Sequence, residues 1–171
     1  MAENAAHTVH IICGSPGCGK STFGAKLAKD ISGMLLDIDT CTERLVMAGL
    51  SSAGKDPTDR DSPMFKDIYR QPIYDTLFAI AADNLKHIDV VIVGPFTKEI
   101  RDATWPAQMS KLLGARVKVH YVYCSSVTRQ QRLIDRANPR DANKLADWAE
   151  HSKYYDGELA PVFEHASVDT S

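Results

Sequence analysis

Gly14-Ser15-Pro16-Gly17-Cys18-Gly19-Lys20-Ser21 satisfies the pattern G-x-x-x-x-G-K-[ST], in which each residue type has a physical task. The glycines let the backbone curl until successive N–H groups converge on phosphate oxygens. The Lys20 ammonium adds a mobile positive charge for the outer phosphates, and the Ser21 hydroxyl is a hard oxygen donor suited to Mg²⁺. The flanks agree with this reading. Thr8 to Cys13 is a short, β-branched, apolar run that reads as a buried strand. Ser21 to Ile31 reads as a helix, with Phe23, Leu27 and Ile31 on one face. That helix turns the positive end of its dipole toward the same anion. Gly14, Ser15, Pro16, Gly17, Cys18, Gly19, Lys20, Ser21 and Thr22 are therefore the expected nucleotide-binding residues, with ATP and Mg²⁺ as the cofactors.

Beyond the loop, strand-like and helix-like stretches alternate, which argues for an α/β fold with a parallel sheet. Further strands are expected near Met34 to Ile38, at Asp89 to Val93, at Val117 to Cys124 and, shortest, at Ala166 to Asp169. Helices are expected at Thr42 to Ala48, Ile73 to His87, Thr104 to Leu113 and Val127 to Arg136. Ser51 to Pro72 holds Pro57, Pro63 and Pro72 and reads as a long irregular segment. Segments of that kind are often functional.

The chain has 171 residues, 44% of them apolar and 25% charged, enough for one domain over 1–171 with a real core. Twenty Lys and Arg against 22 Asp and Glu leave a formal charge of −2. No global positive field exists to hold a polyanion, so a nucleic-acid partner would need a local basic patch. No apolar run approaches the roughly 20 residues that span a bilayer, and Met1 to His7 carries no signal-peptide core. Four cysteines, Cys13, Cys18, Cys41 and Cys124, lack metal-site spacing. They read as reduced thiols in a cytoplasmic protein. Cys18 has an alternative reading as a redox-sensitive thiol, because Lys20 and a helix N-terminus both favour the thiolate.

In open α/β sheets, ligands bind beyond the carboxyl ends of the strands. That edge collects the phosphate loop, Asp37 and Asp39, Gly94 to Lys98, and Ser125 to Arg129. Asp39 is the candidate general base for a phosphoryl acceptor, with a helix N-cap as its alternative. Asp37 is balanced between metal support and structure. If the strand stays extended, both carboxylates point to the same side. Arg129, Arg132 and Arg136 share one helix face, and Arg forks pair with phosphate oxygens. A mobile arginine lid over ATP is expected there, with Arg132 and Arg136 as the candidate catalytic arginines beside Lys20 and Asp39. Arg44, Asp59, Arg60, Asp61, Tyr69, Arg70, Tyr74, Thr97, Lys98 and Arg101 form a candidate acceptor surface. His10, His120, Trp105 and Trp148 read as packing residues.

GSPGCGKST, LLDID, VIVGPF and VYCSSVTRQQRLIDR together resemble the small P-loop kinases. That group includes polynucleotide 5′-hydroxyl kinases, chloramphenicol phosphotransferases, gluconate-type sugar kinases and zeta toxins, often catalogued as AAA-like domains. The resemblance covers nearly the whole chain. It implies a three-layer P-loop NTPase fold, a five-stranded parallel sheet of order 2-3-1-4-5 with helices on both faces. It also implies a lid at about 127–141, a substrate-side insertion at about 40–72, and Asp39 as the substrate-activating aspartate. One departure stands out. Many relatives end strand three with an aspartate, and Val93 holds that place here.

The expected function is an ATP-dependent kinase that moves the γ-phosphoryl group to a hydroxyl of a small molecule, with ATP and that acceptor as its partners and no membrane. One alternative takes a nucleic-acid 5′-hydroxyl as acceptor, through a basic groove built from Lys98, Arg101, Lys111 and Arg116. Another is a nucleotide-binding regulatory module or slow ATPase, to which Val93 lends weight.

Overall fold

The computed structural model describes residues 7–156 and 160–171. Five parallel strands form one sheet: β1 (Thr8–Cys13), β2 (Met34–Asp37), β3 (Val90–Val93), β4 (Arg116–Tyr123) and β5 (Ala166–Asp169), in the order β2-β3-β1-β4-β5. Each strand lies within one residue of its sequence reading. Central strands buried on both faces are near-continuous apolar runs, and β1 and β3 have every residue buried. The 2-3-1-4-5 order implied by the resemblance is the order observed.

Helices cover both faces. Helix α1 (Lys20–Asp30) packs on one side, where Ile12, Val91, Val93 and Val122 meet Phe23, Leu27 and Ala28. Helices α2 (Ile38–Ser52), α3 (Pro63–Asn84) and α4 (Trp105–Leu113) lie on the other, over a larger core that includes Val9, Ile11, Leu77, Ile92, Phe96, Trp105 and Val119. Trp105 packs in this core between Phe96 and Phe163 with its ring tilted to both, in keeping with a packing role. Helix α1 fits the sheet closely because Gly24 has no side chain. A Cβ there would lie 2.4 Å from Val93 Cγ2.

Two helices are longer than the sequence suggested. α2 begins at Ile38, directly after β2, because Asp37 caps it. α3 begins at Pro63, so the second half of the expected irregular stretch is helical. Ser62 is its N-cap and accepts a hydrogen bond from the Phe65 N–H at 3.0 Å. Pro63 occupies the first turn, where its missing N–H costs nothing. Pro72 is carried inside the helix. After α5 (Ser126–Arg136), a short 3₁₀ turn (Pro139–Asp141) leads to α6 (Ala142–Ala146) and α7 (Trp148–Asp156), and neither of these helices was anticipated. Among the described residues no helix is long and apolar enough to cross a membrane.

Candidate active site

The phosphate loop joins β1 to α1 at the carboxyl edge of the sheet. Gly14, Gly17 and Gly19 have φ of 140°, 80° and 91°, conformations that side chains resist. Gly19 is also the N-cap of α1 and offers no side-chain cap to its first turn, so the amides there are open to an anion. The Lys20 ammonium folds over the loop and donates to the Ser15 carbonyl at 2.8 Å. Ser21 and Thr22 are exposed. Cys18 is fully buried against Ile12, Val91, Val93 and Val122. It is a packing residue, and its burial counts against the redox alternative, which needs an accessible thiol.

The two aspartates do not share a strand. Asp37 ends β2 and is the N-cap of α2; its Oδ1 accepts from the Asp39 N–H at 2.9 Å. Asp39 lies in the first turn of that helix. The capping role weighed for Asp39 therefore belongs to Asp37, and the extended geometry expected for the pair is replaced by a helical turn. Asp37 pairs in register with Val93. Register partners point to the same face of a sheet, so Asp37 stands level with Val93 one strand further out, about 4.8 Å away.

The Asp39 side chain is 48% exposed. Burial pulls its carboxyl upward. The Arg140 guanidinium and the charges of Lys20 and Arg136 outweigh that and leave it below the usual carboxylate range. Arg140 grips Asp39 through both Nη atoms, at 2.9 Å to Oδ1 and in close contact with Oδ2. It also donates to Glu43 Oε2 at 3.2 Å. Asp39 and Glu43 are four residues apart on α2 and present two carboxylates to one guanidinium.

The arginines singled out from the sequence go elsewhere. Arg129 is 3% exposed, with its guanidinium over the Trp148 ring. Arg132 donates to the Thr170 hydroxyl at 3.0 Å and to the Thr170 carbonyl. Arg136 binds Asp141 bidentately, and the Asp141 side chain is 1% exposed. The three do share a helix face, but each is drawn to a different partner. Arg140, past the Asn138-Pro139 break, is the arginine on Asp39.

Further ion pairs tie the polar stretch before α3 to α2 and to the segment after α5. Arg60 pairs with Glu43 at 3.0 Å, and Lys144 pairs with Asp61 at 3.2 Å. Arg60 also lies over the Phe65 ring. Arg70 pairs with Glu99 at 2.9 Å over the Tyr74 ring. Burial and the Glu99 charge push the Tyr74 phenol up to about 12. Arg60, Arg70 and Tyr74 are therefore committed within the fold. Glu43, Lys144 and Thr170 were not singled out as site residues, and Arg140, which follows the arginine-rich run, was not matched to Asp39. The one usable signal was the Asp39/Glu43 spacing, visible only once a helix is placed at Ile38.

The AAA domain family profile matches residues 9–156. The chain belongs to the AAA domain family. No curated protein matches it in sequence. A kinase candidate from Chloroflexus aurantiacus j-10-fl shares 15% identity at a TM-score of 0.68, over 97% of this chain and 89% of that one. A sugar kinase from Janibacter sp. HTCC2649 shares 12% at 0.59, over 96% and 85%. A gluconokinase from Sinorhizobium meliloti 1021 shares 14% at 0.53, over 98% and 84%. At these identities the likeness is one of fold.

Among the described residues of this AAA domain, no cluster of three His, Cys, Asp or Glu side chains could cage a metal ion. Mg²⁺ keeps most of its waters and arrives on phosphates with one or two protein ligands. The exposed Ser21 hydroxyl and the 7% exposed Asp37 are hard oxygen donors of the right kind.

Proposed function

We propose that this AAA domain is an ATP-dependent kinase that transfers the γ-phosphoryl group to an alcohol hydroxyl of a small molecule. One observation carries the reading: the Asp39 carboxylate lies within the field of Lys20, the phosphate-loop cation, and under the fork of Arg140. A carboxylate, the phosphate-loop cation and a guanidinium at one edge support a base, a phosphate grip and a charge-stabilising group. The fold shared with the sugar kinase and the gluconokinase supports the same class.

In this reading the loop amides and Lys20 hold the β- and γ-phosphates. Ser21 and, from β2 in place of the missing acid on β3, Asp37 would hold the Mg²⁺ that comes with the nucleotide, and the ion would neutralise phosphate charge. Asp39 orients the acceptor hydroxyl and takes its proton. Arg140 leaves Asp39 for the transferring phosphoryl group, while Arg136, anchored on Asp141, adds fixed positive charge nearby. Arg132 is a weaker candidate than the sequence suggested, since Thr170 holds it. Most of the rate would come from positioning and electrostatics.

A small acceptor is favoured over a nucleic-acid end. Arg116 opens β4 and Lys111 lies in the last turn of α4, at the opposite end of the sheet from Asp39, and Arg101 donates to the Ala160 carbonyl. Of the four cations expected to build that groove, Lys98 lies exposed after β3 on the carboxyl edge, and a single cation does not line a groove to the base. The test is an ATP-consumption screen over a panel of hydroxyl compounds. Lys20→Ala should abolish turnover. Asp39→Asn should keep MgATP binding and lower transfer at least 100-fold, on the order expected for loss of a general base. Unchanged transfer by Asp39→Asn would sink its role as base.

A further inference from the structure

β5 ends beside the phosphate loop, and Thr170 makes the contact. Its hydroxyl donates to the Cys18 carbonyl at 2.7 Å. It accepts from Arg132 Nη1 at 3.0 Å, while the Thr170 carbonyl accepts from Arg132 Nη2. The Thr170 N–H donates to the Tyr123 carbonyl at 3.0 Å, which fixes the residue to the end of β4. A hydroxyl has one proton to give, and the Cys18 carbonyl is nearer than its other acceptor, the Tyr123 carbonyl at 3.3 Å. The brace abuts Gly19: a Cβ there would lie 3.5 Å from Thr170 Oγ1 and 3.6 Å from Arg132 Nη1.

The peptide plane turns this contact into a consequence for binding. In a trans peptide the C=O of one residue and the N–H of the next point in opposite directions. All peptides among the described residues are trans. Holding the Cys18 carbonyl outward on Thr170 therefore aims the Gly19 N–H inward. Gly19 tolerates many backbone conformations, so its amide needs an external constraint more than its neighbours do.

We infer that Thr170, steadied by Arg132, is a positioning residue of the phosphate loop: it sets the direction of the Gly19 N–H through the Cys18 carbonyl, and triphosphate affinity depends on it. The inference rests on reading the loop as the nucleotide site. It assigns Arg132 to bracing in place of charge neutralisation.

The test uses the full chain and measures MgATP and Mg-tripolyphosphate binding by calorimetry. The proteins are the wild type, Thr170→Val, which keeps the shape and removes the hydroxyl, and Thr170→Ser, which keeps the hydroxyl. The expected result is affinity lowered roughly tenfold by valine for both probes, about 1.4 kcal/mol, and restored to within about twofold by serine. The Gly19 amide resonance should shift in the valine protein and return in the serine protein, a readout that general destabilisation would not reverse in this way. Should the valine protein fail to fold, Thr170→Ala is read in its place with the same outcomes. Wild-type binding with unchanged affinity in the valine protein overturns the inference and leaves the kinase reading standing. A wild type that binds neither probe overturns both.

Discussion

Arg140 and Asp39 are 101 residues apart in sequence, and neither has its present character without the other. Stripped of the guanidinium, Asp39 would lose its largest attraction, and its carboxyl would move up. Arg140→Met is therefore expected to raise the Asp39 pKa, which a ¹³C-detected titration of that carboxyl would follow. An Asp39 curve that stays in place would mean that Lys20 and Arg136 alone set its charge. The same variant should lower transfer by roughly 10²–10³-fold, the scale of losing one charge-stabilising group. Lys20 and Asp39 were legible because their meaning is local: one sits in a loop motif, the other just past a strand. Arg140 was not, because its role depends on a chain reversal after Asn138-Pro139 that no spacing rule encodes. Arg132 and Arg136 drew attention through helical periodicity, which reports a shared face and says nothing about which partner waits beyond it.

Helix α1 and strand β3 meet without a gap at Gly24 and Val93. Gly24→Ala gains helix propensity of about 1 kcal/mol but drives a methyl into a buried β-branched side chain, an overpacking cost of about 1–3 kcal/mol. The net expectation is a lower urea midpoint with an unchanged slope. A midpoint that rises would show that Val93 has room to turn away. Val93 is 1% exposed beneath α1, and its register partner on β2 is Asp37. The strands were readable because burial on both faces leaves an apolar run. The N-terminal half of α3 was not, since Pro72 suggested a break. In the structure the helix runs through it, even though proline removes one backbone donor. Ser62 followed by Pro63 is itself a helix-start pattern. α6 and α7 are short and mostly polar, and tertiary ion pairs such as Lys144–Asp61 hold the region they belong to.

Across the sheet, His10 on β1 and His120 on β4 stack with ring centroids 5.3 Å apart, and Nδ1 of one meets Nε2 of the other at 3.0 Å. Phe23 of α1 leans on His120. Burial, then His10 and Lys118, lower the His120 pKa from 6.5 to about 4. Burial and Lys118 also lower His10, against a weaker opposing pull from Asp89. In the unfolded chain both imidazoles take up a proton near pH 6.5. The folded state resists protonation, so stability is full above that pH and declines as pH falls from 6.5 toward 4. The His120 share is roughly 1–2 kcal/mol, less than the full shift would give because the ring is part-exposed. Urea midpoints recorded between pH 7.5 and 4.5 should fall, and His120→Gln should flatten that slope; equal slopes would remove the pair from the account. The sheet order was legible through resemblance and the strand count through hydropathy. The ionic clasp of Arg60, Arg140 and Lys144 over Glu43, Asp39 and Asp61 joins distant segments and emerged only in three dimensions. The Thr170 contact also has a bearing on biosynthesis. A ribosome makes the glycine-rich turn some 150 residues before the hydroxyl that Cys18 waits for. The growing polypeptide should therefore acquire a competent nucleotide cradle late, after β5 has cleared the exit tunnel and docked.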